Sequence, residues 1–128
     1  MSKLLIAVLL AVFSTNSMAE WTEVGGNDIK TTYADRSTIR KSGNRVKMWD
    51  LMDYKVVKTT NGRRYLSALA QQEYDCKEET SKILTFNWYS KSMGAGEVVY
   101  SSGNAHDEFE PITPGTTGEN LFKVACGK

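Results

Sequence analysis

Histidine occurs once and cysteine twice in this 128-residue chain, so the residues that build most hydrolytic, redox and metal sites are nearly missing. No Gly-x-Ser-x-Gly elbow, phosphate-binding loop or His-Glu-x-x-His pair is present, and no Gly-x-Gly-x-x-Gly turn opens onto a helical pattern. An excess of one charge is lacking too, with sixteen Lys and Arg against fifteen Asp and Glu. A dedicated nucleic-acid binder is strongly basic, so nucleic acid is not an expected partner. Proline occurs twice, and the chain shows no repeat, linker or low-complexity tract. The one long apolar run, residues 4–13, is about half the ~20 residues that a membrane-spanning helix needs.

That run has the form of an export signal. Lys3 supplies the positive start, and Ser17 and Ala19 are small residues placed for cleavage before Glu20. The expected organisation is a signal peptide over residues 1–19 and one domain over residues 20–128. No integral membrane segment is expected after cleavage. The residue immediately after the cleavage point is Glu20 and not cysteine, so lipid attachment is not expected and the location read from the sequence is periplasmic or secreted. Both cysteines, Cys76 and Cys126, then meet an oxidising compartment, where a disulfide is the default reading. It closes a span of 126 − 76 = 50 residues, worth roughly 4 kcal/mol as an upper estimate. The rival readings are a metal pair or a reactive thiol, but two cysteines without a Cys-x-x-Cys spacing make a poor zinc site.

Period-two alternation dominates the rest. Residues 20–24 read as a first strand, residues 25–28 as a turn, and residues 29–34 as a second strand ended by the polar break at residues 35–38. Residues 44–58 read as a long third strand, with Val46, Met48, Met52 and Tyr54 on one phase and Trp49 and Leu51 on the other. Asn61-Gly62 is a hairpin signal, and residues 65–76 form its partner with Ala68, Ala70 and Tyr74 facing one way. Residues 82–90 place Leu84, Phe86 and Trp88 on one face, residues 97–101 add a strand, and residues 102–114 read as a polar loop. Thr116-x-x-Glu119 has the form of a capping box, so a helix is expected from about Thr117 to Ala125 with Gly127 as its stop. The fold class expected is α+β, mostly β: one antiparallel sheet of about six strands with a C-terminal helix tied to it by the disulfide.

The candidate chemistry is thin. His106 lies in a loop with Asp107, Glu108 and Glu110, and reads as a solvated turn ahead of a general base or metal ligand. Glu73, Asp75, Glu78 and Glu79 gather at a strand end, where a solvated terminus is the simpler reading than a carboxylate pair. No catalytic residue, metal or cofactor is therefore expected. Nine basic residues fall between Arg36 and Arg64 against only Asp50 and Asp53. From that stretch Arg36, Arg40, Lys41, Arg45, Lys47, Arg63 and Arg64, together with Trp49, are the candidate partner-binding residues. An ordinary solvated face with cations guarding sheet edges is the competing reading. Trp88 is read as core, and Trp49 as core under the helix or as part of an interface.

The ordered set formed by Trp21, residues 33–39, 46–54, 65–67, 73–76, 93–99 and 111–119, and the closing Val124-Ala125-Cys126 resembles the surface-adhesin protein E-like domain family of Gram-negative bacteria. The resemblance spans essentially the whole chain after the export signal. It implies a compact antiparallel sheet with a disulfide-tied helix, export, and non-enzymatic binding of a protein or glycan partner such as extracellular-matrix protein. It also implies a capacity to form a homodimer. Phe109 stands where that family often carries Trp. A periplasmic envelope structural or assembly factor is the alternative function.

Overall fold

The computed structural model describes residues 20–103 and 107–128. The segment read as a signal peptide and His106 lie outside the described residues. Six strands follow one another as an antiparallel meander: β1 (Trp21–Gly26), β2 (Lys30–Ser42), β3 (Arg45–Thr60), β4 (Arg63–Asp75), β5 (Thr80–Tyr89) and β6 (Val98–Gly103). A two-residue strand, β7 (Glu110–Pro111), pairs with Thr80 and Ser81 on the edge of β5 that β6 uses further along. The helix α1 (Thr117–Cys126) then crosses one face of the sheet and packs on β1 to β4.

Asn61 and Gly62 both take positive φ, 50° and 76°, which is the two-residue turn that matches strand twist. The polar break expected at residues 35–38 is not a break. β2 runs on to Ser42, and these residues form a wide bulge: Asp35 pairs with Trp49 and Arg40 with Lys47, so five steps in β2 oppose two in β3. Local side chains satisfy the extra backbone. Asp35 Oδ1 accepts from the Ser37 N–H at 3.0 Å, and the Thr38 hydroxyl donates to the Asp35 carbonyl at 2.6 Å. That hydroxyl also accepts from the Trp49 N–H at 2.9 Å. A second wide bulge lies in β3, between the pairs Asp53–Ser67 and Lys58–Tyr65.

Beneath α1, Ala34, Val46, Met48 and Tyr74 from the sheet meet Leu121, Phe122 and Ala125. Thr116 caps the helix, its Oγ1 accepting from the Glu119 N–H at 3.3 Å, and Gly127 ends it at φ 69°. Glu119 reaches the N–H of Gly115, one residue before the cap. Phe122 is among the most deeply placed helical residues at 5% exposure. The Cys76–Cys126 disulfide bolts the last residue of α1 to the end of β4, with the Cα atoms 5.7 Å apart.

The opposite face is covered in part by residues 90–96, which include a 3-10 turn at Ser92–Gly94. The buried Ser67 hydroxyl donates to the Lys91 carbonyl at 2.6 Å and accepts from the Gly94 N–H at 2.9 Å. Gly94 sits at φ 72°, and a Cβ there would come within 2.7 Å of Leu69 Cδ1, so only glycine lets this turn close down on β4.

Candidate partner-binding site

Cross-strand register decides what lies beside the helix-covered core. Directly opposed residues share a face, so Asp50 and Met52 of β3 stand with Ala70 and Ala68 of β4, and these stand with Phe86 and Trp88 of β5. A one-residue bulge at Leu84 lets Gln72 oppose Ile83, so Ile83, in place of the expected Leu84, joins Phe86 and Trp88. The two alanines are nearly fully buried and low, while large side chains rise from β3 and β5 on either side. The result is an open trough of about 180 Å³ lined by Met52, Tyr54, Ala68, Ala70, Ile83, Phe86 and Trp88.

Aromatic rings run continuously along this trough. Tyr65 stacks on Trp88 with centroids 4.3 Å apart, and Tyr54 meets Tyr65 edge-on at 5.6 Å. Tyr100 of β6 lies 4.8 Å from Trp88 and 5.7 Å from Phe86. Cations stand over both ends: Lys58 Nζ is 5.8 Å from the Tyr54 ring, and the Arg63 guanidinium is 5.2 Å from the Tyr100 ring. Burial, and then the neighbouring Tyr65, hold the Tyr54 hydroxyl above its ordinary range, so it remains a neutral donor at physiological pH. Trp88 is thus half-buried in an open surface and not sealed in a core. Exposed aromatic surface next to stacked cations suits capture of another molecule better than it suits solubility.

The candidate residues from the basic stretch do not form one surface. Arg40 and Lys41 at the end of β2 lie beside Lys47 and Arg45 at the start of β3, with exposed Arg36 in the β2 bulge. Arg63 and Arg64 pair with Thr60 and Thr59, at the other end of the sheet. The separation along β3 is about 40 Å at roughly 3.3 Å per residue. Arg45 is engaged locally, with Glu73 at 3.4 Å, Asp75 at 3.9 Å and the Phe109 ring at 4.5 Å. Trp49 sits on the face opposite α1, partly buried, so it does not pack under the helix. The aromatic trough was the part that sequence reasoning missed. Its signal was the pairing of small Ala68 and Ala70 with large Phe86 and Trp88 at period two on adjacent strands.

At the acidic strand end, Glu73 and Asp75 are engaged by their neighbours. Besides the two carboxylates held by Arg45, Asp75 Oδ1 accepts from the N–H groups of Lys77 and Glu78 at 3.1 and 3.0 Å. Among the described residues no three His, Cys, Asp or Glu side chains are grouped to hold a metal ion. No helix among them is long and apolar enough to cross a membrane.

Residues 21–127 match the family described as surface-adhesin protein E. The chain belongs to that family. Solved structures of protein E from Haemophilus influenzae share the adhesin-family fold. Crystal form II is 14% identical with a TM-score of 0.62, covering 86% of this chain and 89% of that one. A structure from the non-typeable organism is 16% identical with a TM-score of 0.56, covering 88% and 79%. No curated protein sequence matches the chain. The family places it among surface adhesin-like proteins, and the low identity to the solved members carries the fold alone.

Proposed function

We propose that this chain is an exported, non-enzymatic binding protein that captures a macromolecular partner on the aromatic trough between α1 and β6. The uncovered half of the helix-bearing sheet face carries this reading, because it exposes stacked rings that a monomer gains nothing by leaving open. The cations Lys58 and Arg63, one over each end of the ring row, supply charge complementarity to an acidic stretch of partner, in protein or glycan. Membership of an adhesin family supports extracellular-matrix protein as the first partner to test. The cluster of Arg40, Lys41, Arg45 and Lys47 is a second cationic edge, too distant to act with the first.

Two experiments test the reading. Pull-down from extracellular matrix should lose its captured protein with Trp88→Ala plus Tyr100→Ala, and should weaken and lose salt dependence with Arg63→Glu plus Arg64→Glu. Capture that is unchanged in both double variants places the contact elsewhere. Fractionation of cells carrying the tagged chain should find it outside the cytoplasm. Retention in the periplasm would favour the envelope-factor reading over direct adhesion.

A further inference from the structure

A second hollow on the same sheet face has a different chemistry. It is about 170 Å³ in volume and lies where the start of α1 meets the sheet, between the sealed core and the aromatic trough. The residues that give it character are Lys30 and Thr32 of β2, Asp50 of β3, Gln72 of β4, and Thr117 and Gly118, the first two residues of α1.

Asp50 is fully buried. Its Oδ2 accepts from Gln72 Nε2 at 2.6 Å, while Oδ1 meets no donor among the described residues. A carboxylate oxygen left in this state costs free energy, so a missing partner is the ordinary explanation. Lys30 lines the same hollow, yet its ammonium lies against Met52 Sδ at 3.4 Å, a weak acceptor, and forms no ion pair with Asp50. Two opposite charges thus border one space without neutralising each other. The N-terminus of α1 adds its positive dipole end beside Lys30.

We propose that this hollow binds a small zwitterion of the α-amino acid class, its ammonium on Asp50 Oδ1 and its carboxylate between Lys30 and the first turn of α1. A lone cation would satisfy Asp50 but face Lys30 and the helix dipole. A lone anion would satisfy those two but face Asp50. One small molecule carrying both charges meets every group. Thr32, diagonal to Asp50 across the β2–β3 ladder and only 3% exposed, stands where its hydroxyl can support the ammonium. Tyr74 is the other titratable group near Asp50. Its buried hydroxyl also lacks a partner, and burial, then the charge on Asp50, keeps it protonated. Burial raises the Asp50 carboxyl to about 7, against the pull of Gln72 and Lys30, so its charged form predominates in mildly alkaline solution. The inference stands apart from the adhesive role, since it uses none of the aromatic rings.

The test is a titration of the folded protein at about pH 8 with glycine and L-alanine, alongside methylamine and acetate as half-ligands. It is read by amide NMR shifts at Thr32 and Gly118 and by thermal stability. The amino acids should give saturable shifts, and each half-ligand should bind at least about tenfold more weakly. Asp50→Asn and Lys30→Met should each weaken amino-acid binding by about tenfold or more while keeping the spectrum of a folded sheet. Failure of both amino acids to saturate would overturn the proposal. So would acetate or methylamine matching glycine, which would make the hollow a simple anion or cation site. The half-ligand comparison uses the unaltered protein and holds even if a variant fails to fold.

Discussion

Under α1, Val46, Met48 and Tyr74 meet Leu121, Phe122 and Ala125 and lose nearly all contact with water. Elsewhere on the same sheet face, Met52 and Tyr54 of β3 and Phe86 and Trp88 of β5 remain half-buried around an open trough. Both halves are apolar, so hydrophobicity does not distinguish them. Reach does. A ten-residue helix is about 15 Å long, at about 1.5 Å per residue. β3 pairs end to end with the thirteen residues of β4, so it extends for about 40 Å, at roughly 3.3 Å per residue. The disulfide fixes the end of α1 at the Cys76 end of the sheet, and Asn120 ties its first half to the Val24 carbonyl at 2.8 Å. The helix can therefore seal only the half next to its bolt, and the other half is left for something outside the chain.

This comparison can be broken by removing the bolt. Cys76→Ser with Cys126→Ser should lower stability by roughly 4 kcal/mol, seen as a lower urea midpoint. An unchanged midpoint would mean that packing alone holds α1 in place. The two halves can next be set against each other. Phe122→Ala, in the sealed half, should cost about 3 kcal/mol in denaturant unfolding.

At the boundary between the halves, Asp50 should make stability depend on pH. Its native carboxyl is raised from 3.8 to about 7 by burial. The native state therefore holds a proton that the unfolded chain has released, and stability falls as pH rises through that window. Asp50→Asn should flatten the fall and leave the protein more stable than the parent near pH 8, measured by unfolding at several pH values. Trp88→Ala, in the open half, should cost only about 1–2 kcal/mol yet remove partner capture. A cost equal to that of Phe122→Ala would show that the trough is core after all. The smallest effect belongs to the far cationic edge. Arg45 is 52% exposed in its side chain, so Arg45→Ala should change stability by less than about 1 kcal/mol, and less still in high salt.

Much of the architecture was legible from local chemistry. Asn61-Gly62 specified its hairpin, Thr116 and Gly127 bracketed the helix, and alternation sorted Val46 and Met48 from Trp49, although it did not say which of the two faces the helix would cover. The break at residues 35–38 was misjudged because polar residues that end a strand also satisfy a bulge, and only pairing with Trp49 shows which occurs. Leu84 was placed on the wrong face for a similar reason, since one extra residue shifts every side chain after it. The site was less legible than the fold. A run of cations looked like one surface in sequence, but β3 carries its two ends far apart, and Trp88 looked like core because nothing local says what covers a strand.

By itself the sequence determined the order of strands, the turns between them, the capped terminal helix and the pair of sulfurs that could hold it. Those features depend on backbone preference and residue spacing within a few positions, so they are written locally. The tertiary structure alone decided which half of the sheet face is sealed, that Asp50 and Lys30 border one hollow without meeting, and that the basic stretch is divided. Each of these follows from where a short helix lands on a long sheet, and that is set by contacts between residues far apart in the chain.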